Sequence, residues 1–530
     1  MKLTDTAHRA AVEVLLVGAA LTAAVFLSGC NNGASLPNSP GSNLLGAHQL
    51  STTPSSSHRK HHHRSNPYVT VSINSSQVGP AMNVADLGVG MAVWYKFTLP
   101  GIAQAFQGSN LTITRFPGGK QADIYHWQTG TDGPSGTPCA GNANPTSTLD
   151  TLMQGIAIPA NLRVAVTLNY GSNADCSGGA DPSEAAGLIT YAQQKGYNIA
   201  FATIGNEQYV PGAKDCRQPG CISSRDPLQY SANEPAFYSA VKQANPNIPV
   251  CIDANLQNPK SKWNPSVFAN AKYDCIEVHY YPQRLTTSDS FILYDAIPQF
   301  TTDINAIKAQ LAAAGHPNTP IYLGEIATQL GPFGKQSQSI VGALYTGMAV
   351  GEVEQDALAA MTWHIGLGSC ESPNQGGDFG QDVYGWQGYG GAMIFSDGPS
   401  QNCPAQSAPN TLLANANAFT VASYFVHAGE TMLGALVTGS GDVRAYAGTY
   451  KGGYAFMLFN TSQTDTQDVA VNITGKSSGS GGTIVTYDKA IYDQSQNNVW
   501  NPPSVTPLGS WNNTIDLSLP PWSMVVVQTQ

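Results

Sequence analysis

The stretch IAFATIGNEQ, Ile199 to Gln208, sets six residues of apolar character directly against a glycine, an amide and a carboxylate. A run this short, bounded by Gly and carrying Ile, Phe and Thr, reads as a strand buried on both faces. Such a strand gains nothing from a Glu at its end. Glu207 therefore either meets solvent by accident or faces something it acts on.

Seven more runs of this kind lie on either side: Val84 to Met91, Leu111 to Phe116, Val164 to Tyr170, Ile248 to Ile252, Cys275 to Tyr281, Ile321 to Gly324 and Ala359 to Ile365. Helix-patterned segments separate several of them: Ser183 to Lys195, Asn233 to Ala244, Ile304 to Gly315 and Ser339 to Gly351. Eight buried strands alternating with helices predict an α/β fold, a parallel (β/α)8 TIM barrel over residues 83–428 that closes with a helix-like stretch at Thr411 to His427. Beyond it, residues 429–530 alternate Val, Tyr, Phe and Ile with Gly, Asn, Ser and Thr, as in GGYAFMLFNTS and WSMVVVQTQ. That texture predicts a C-terminal antiparallel β-sandwich. Residues 68–82, which contain VTVSI, precede the first barrel strand and are expected to add a strand to the sandwich.

Composition narrows the function. The 530 residues are 42% hydrophobic and only 11% charged, with 54 Gly and 34 Pro, which suits a loop-rich globular protein and not a coiled coil. A net charge of −10 without a basic stripe in the body of the chain argues against nucleic acid as a partner. Lys2, Arg9 and the apolar run Val14 to Leu27 predict an export signal over residues 1–30. Its end, Leu27-Ser28-Gly29-Cys30, resembles a bacterial lipobox, which implies a lipid on Cys30 as the sole membrane contact; the alternative is an ordinary secretory signal that contains a Cys. Residues 31–67 are rich in Ser, Asn, Pro and His and read as a flexible tether, with His58 to Arg64 as a solvated cationic patch or a metal-binding tract.

The eight remaining cysteines can all pair in an oxidising compartment, by proximity as 139 with 176, 216 with 221, 251 with 275 and 370 with 403. No CxxC occurs, and no phosphate-cradling loop or dinucleotide fingerprint follows any strand, so no metal and no cofactor are expected.

In a barrel of this type chemistry sits at the C-terminal ends of the strands. Those ends carry Arg115, Asn169, Asn206 with Glu207, His279 with Tyr281, Glu325, and Trp363 with His364. One strand-end Glu is commonly a rim charge. Two on different strands match what glycosidic hydrolysis needs, a protonated carboxyl for the leaving oxygen and an ionised one to attack or to activate water. Glu207 is expected as the acid, and Glu325 as the nucleophile kept ionised by Arg115 and Tyr281. Trp94, Tyr95, Trp127, Tyr170, Tyr280, Tyr281, Trp363 and Trp386 fall near strand ends, where rings stack on sugars, although core packing is the alternative for each.

At these residues the chain resembles a known group. LTITRFPGGKQADIYHWQTG looks like the RxPGGxxAdxYhW segment of family 51 α-L-arabinofuranosidases. IGNE, with GE more than a hundred residues later, is similar to the signature of glycoside hydrolase clan A. The resemblance implies Glu207 as acid/base, Asn206 as the amide on the sugar 2-hydroxyl, and Glu325 as the nucleophile of a retaining double displacement. It also implies that Tyr281 and Arg115 orient the nucleophile and that Trp363 is an aromatic platform; Trp127, Asn169 and His279 complete the expected carbohydrate-binding set. Two positions depart from the pattern: Gln208 follows the acid, and Glu325 sits in YLGEIAT without a following Trp. The Gly-rich loop from Gly366 to Asn402 looks like barrels of clan A that cut β-glucans or uronides. The expected function is a retaining glycoside hydrolase acting on extracytoplasmic polysaccharide or oligosaccharide. A transglycosylase using the same Glu pair and a non-catalytic surface glycan-binding lipoprotein stand as alternatives.

Overall fold

A long first strand, β1 (Val69–Ala81), is followed by eight short ones: β2 (Gly88–Gly90), β3 (Ile113–Phe116), β4 (Arg163–Leu168), β5 (Ile199–Ile204), β6 (Val250–Ala254), β7 (Cys275–Tyr280), β8 (Ile321–Ile326) and β9 (Ala360–Trp363). β2 to β9 pair in parallel in chain order, and β9 returns to β2 through Val89 opposite Trp363, closing the barrel. The computed structural model describes residues 68–284, 287–331, 333–368, 382–385, 393–401, 404, 406–495 and 500–530. The expected signal and lipobox, the tether, Cys370, Cys403 and Trp386 lie outside the described residues.

All eight predicted runs become barrel strands. The first is shorter than its apolar run, because Asn83 accepts a hydrogen bond from Ala85 N–H and coils Val84–Asp86 into one tight turn before β2. Helix starts follow capping chemistry: Asp181 caps Pro182–Lys195, and Asp226 caps Pro227–Ala244. The second begins before the predicted Asn233, since the Asp-Pro start outweighs the weak apolar period of its first turn.

The register between β7 and β8 slips once. Val278 lies opposite Leu323, yet His279 lies opposite Glu325, so Gly324 is the extra residue of a bulge. A bulge re-aims the side chain that follows it. Here it brings Glu325 alongside His279.

The C-terminal region and β1 form a nine-stranded curled sheet in the order Ser504–Leu508, Gly482–Asp488, Ser523–Thr529, Gly453–Asn460, Val443–Tyr450, Thr431–Thr438, β1, Gln467–Ile473, Ile515–Leu519. The expected antiparallel pattern holds except at β1. That strand pairs antiparallel with Thr431–Thr438 but parallel with Gln467–Ile473, because it enters between two strands of opposite direction. One face of the sheet buries Val71, Ile73, Phe456, Leu458, Val471 and Val527. The other packs on helix Ile340–Gln355, where Gly347 and Gly351 lie one turn apart. A Cβ on either would stand 2.5 Å from Met524 Sδ or the Tyr446 ring, so the two glycines set how closely the sheet approaches.

Three of the expected disulfides are formed, Cys139–Cys176, Cys216–Cys221 and Cys251–Cys275, the last joining β6 to β7 at directly opposed positions. The segment expected as one long loop, Gly366 to Asn402, instead contributes strands: Ile365–Gly368 pairs in parallel with Met393–Ser396, two short runs apolar enough to be buried. Among the described residues no helix is long and apolar enough to cross a membrane.

Candidate active site

At the end of β5 the chain leaves the barrel wall abruptly. Gly205 has φ 82° and Glu207 φ 49°, a left-handed conformation that costs a side-chain-bearing residue on the order of 1–3 kcal/mol. Buried carboxyls hold that turn. Asp123 accepts from Asn206 N–H at 3.2 Å and from Gln208 Nε2 at 2.9 Å, and Asp253 on β6 accepts from Gln208 N–H at 3.1 Å. Burial pushes the Asp123 carboxyl well above its ordinary range and Asp253 up to about 7. The turn aims the Glu207 side chain at His279, whose Nδ1 is 2.9 Å from Oε1.

Arg115, at the end of β3 and 1% exposed, is the hub of the charged floor. Its Nη1 donates to Glu325 Oε1 at 2.8 Å and its Nη2 to Asn206 Oδ1 at 2.8 Å. Nε lies 2.6 Å from Glu277 Oε1, a close ion pair without good hydrogen-bond alignment. Glu325 is gripped from the other side by the Tyr281 hydroxyl at 2.5 Å, with His364 Nδ1 at 3.3 Å and His279 Nδ1 at 3.5 Å. Tyr281 also meets His364 Nδ1 at 2.7 Å.

The surroundings separate the two strand-end carboxyls. Burial alone would raise Glu325, but the charges of His279, His364 and Arg115 outweigh it and hold the carboxyl well below the usual range. Glu207 is the more open, with 16% of its side chain exposed against 6% for Glu325. Burial would lower the pKa of His279. Glu325, Glu207 and Glu277 around the ring reverse that and push it up to about 10. An oxygen of Glu207, a ring nitrogen of His279 and an oxygen of Glu325 lie within 4.8 Å of one another.

Arg115, Asn206, Glu207, His279, Tyr281 and Glu325 therefore converge. Three other expected residues do not. Trp127 gives its Nε1–H to Glu184 O at 2.9 Å and packs on Tyr191, out at the rim. Asn169 folds its amide into its own loop, accepting from Gly171 and Ser172 N–H and donating to Ser172 O. Trp363 is fully buried and meets Tyr345 of helix Ile340–Gln355 edge-on, while the next residue, His364, reaches the mouth. Of the remaining aromatics, Tyr170 and Tyr280 are core, and Trp94 and Tyr95 are partly exposed after β2.

The sequence reading overlooked Glu277. Its signal was present in CIEVHYY: alternate residues of a strand share a face, so Glu277 points to the same side as His279. Asp123 and Asp253 gave no such signal, because what they hold is the turn after β5, through the backbone N–H of Asn206 and Gln208 and the Gln208 side chain.

No protein-family model matches the sequence, and no curated protein matches it. Solved structures match over nearly the whole described chain. The α-L-arabinofuranosidase of Thermotoga maritima in complex with arabinose is 13% identical, with 87% of this chain and 100% of that one covered and a TM-score of 0.65. The family 51 arabinofuranosidase of Xanthomonas axonopodis pv. citri is 16% identical over 88% and 100%, with a TM-score of 0.62. A Paenibacillus polymyxa xyloglucanase of family 44, solved with xyloglucan, is 11% identical over 87% and 100%, with a TM-score of 0.59. The fold is thus a clan-A-like TIM barrel with a β-sandwich, resembling that of family 51 arabinofuranosidases at low identity.

Proposed function

We propose that this chain is a retaining glycoside hydrolase in which Glu325 is the nucleophile and Glu207 the general acid/base. The observation that carries the reading is the spacing and contrast of the two carboxyls. Their nearest oxygens lie within 4.8 Å, in keeping with the ~5–5.5 Å separation of retaining pairs and not the ~6.5–9.5 Å that leaves room for a water. One is buried and held ionised, and the other is the more exposed.

In the first step a Glu325 oxygen bonds to the anomeric carbon as the glycosidic C–O bond breaks, and Glu207 gives its proton to the departing oxygen. In the second, Glu207 takes a proton from water, the water oxygen bonds to the same carbon, and the ester to Glu325 breaks. Asn206, fixed by Arg115 through its oxygen, has its NH2 available for a sugar hydroxyl. The solved structures of similar fold include arabinofuranosidases and a xyloglucanase, which makes arabinofuranosides and β-glycans the first substrates to try. The export signal and lipobox-like end read from the sequence support a place outside the cytoplasm, either tethered by a lipid at Cys30 or secreted.

The test is a panel of aryl glycosides and polysaccharides with Glu325→Gln as control. Cleavage by wild type alone, with azide restoring Glu207→Ala on activated substrates, supports the assignment. Turnover by Glu325→Gln at more than a few per cent of wild type removes it. Glycan binding without turnover points to a binding lipoprotein, and sugar transfer in place of hydrolysis points to a transglycosylase.

A further inference from the structure

Among the buried acids that the two-Glu mechanism leaves unused, one lies directly under its two carboxyls. Glu277, on β7 and 2% exposed, sits beneath the site with every contact filled by a donor: Arg115 Nε at 2.6 Å and His279 Nε2 at 3.0 Å on Oε1, and the Thr203 hydroxyl on Oε2. A buried carboxylate is costly unless paired, and here two cations and a hydroxyl from three different strands pair it. The barrel wall makes room for it. A Cβ at Gly324 would stand 2.2 Å from Glu277 Oε1, so the glycine at the β8 bulge, one residue before Glu325, is also what lets this acid reach the floor.

Resting on the reading of Glu207 as acid/base, we infer that Glu277 is a positioning residue for that acid. It engages Nε2 of His279 at 3.0 Å, and this fixes the ring with Nδ1 aimed at Glu207.

The consequence lies in where protons go. With Nε2–H and Nδ1–H both present, His279 only donates. It stabilises the Glu207 carboxylate left after proton transfer to the leaving group, and it keeps its own proton through both steps. Without Glu277 the ring more readily becomes neutral, and its Nδ1 lone pair then competes with the sugar oxygen for the Glu207 proton. The groups facing the ring are the acids Glu207 on the β5 turn, Asp253 on β6, Glu277 on its own strand and Glu325 on β8, and the cation Arg115 on β3. Burial and the neighbouring Glu277 charge raise Asp253, which blunts its contribution near neutrality. Glu277 is the acid on the Nε2 side.

Glu277→Gln separates this from a structural role. Activated aryl glycosides need no acid for departure, whereas poor leaving groups do. We expect kcat/KM to fall on the order of 10- to 100-fold for poor leaving groups and by less than about five-fold for activated ones. An equal loss on both, whether from misfolding or through Arg115 and the nucleophile, overturns the inference. A second measurement uses the wild-type protein labelled with 15N-histidine: His279 should show two protonated nitrogens at about pH 7.5, well above the ordinary histidine range. A neutral ring there overturns it even where the variant does not fold. Absence of any glycosidase activity in wild type would instead remove the proposed function, and the histidine spectrum would still report the ring's state.

Discussion

Arg115→Met removes the one guanidinium from the barrel floor while keeping most of its volume. Arg115 faces Glu277 at 2.6 Å and Glu325 at 2.8 Å, all three nearly inaccessible to solvent. Deleting one partner of a buried ion pair strands the other, at about 3–5 kcal/mol. Glu277 keeps His279 and Thr203, and Glu325 keeps Tyr281, His279 and His364, so neither acid is left bare and the expected loss lies at the lower end of that range. The pH dependence gives the sharper check. In wild type both Glu325 and Glu277 are held below their ordinary pKa, so the stability they contribute is present above about pH 4.5 and is lost as the pH falls below it. In the variant Glu277 loses the largest interaction that lowers it and Glu325 loses a smaller one, so both carboxyls rise and less of that stability develops as the pH increases. The gap between wild type and variant therefore widens with pH. Urea unfolding followed by tryptophan fluorescence at about pH 5 and about pH 8 measures it. A gap under about 1 kcal/mol, or one that does not change with pH, would refute the electrostatic account of the floor.

Tyr281→Phe deletes the hydroxyl on Glu325 Oε2; a hydrogen bond to a charged group is worth about 1.5–3 kcal/mol, so kcat/KM should fall roughly 10- to 100-fold in steady-state assays with little change in fold. Asp86 and Glu354 are neighbouring buried acids, and burial raises both, Glu354 to about 7. Their stabilising contribution is present at low pH and lost as the pH rises through that value, so Asp86→Asn should flatten the decline in urea stability above pH 7, and parallel curves would exclude this electrostatic account. Replacing Cys251 and Cys275 together with Ala should cost about 3 kcal/mol in the same assay, since their bridge closes a loop with sequence separation 24.

The sequence by itself determined the barrel and its working end. Eight apolar runs separated by helix-patterned segments have few other ways to bury both strand faces, and the polar residues that end those runs lie at one mouth of the barrel by topology. GNE after IAFATI was legible for that reason, as were Arg115, Tyr281 and Glu325. Three disulfides followed from parity and proximity. Tertiary structure decided which side chains meet. Trp363 is as apolar a strand-end signal as any, but the outer face of β9 packs it on Tyr345, and only barrel closure says which face is outer. Asn169 and Trp127 were drawn into local hydrogen bonds that no periodicity encodes. The bulge at Gly324 shifts Glu325 by one register step toward His279 and opens the space for Glu277. Strand pattern fixes alternation along a chain, whereas register between chains and the fit of a third carboxylate depend on neighbours far apart in sequence.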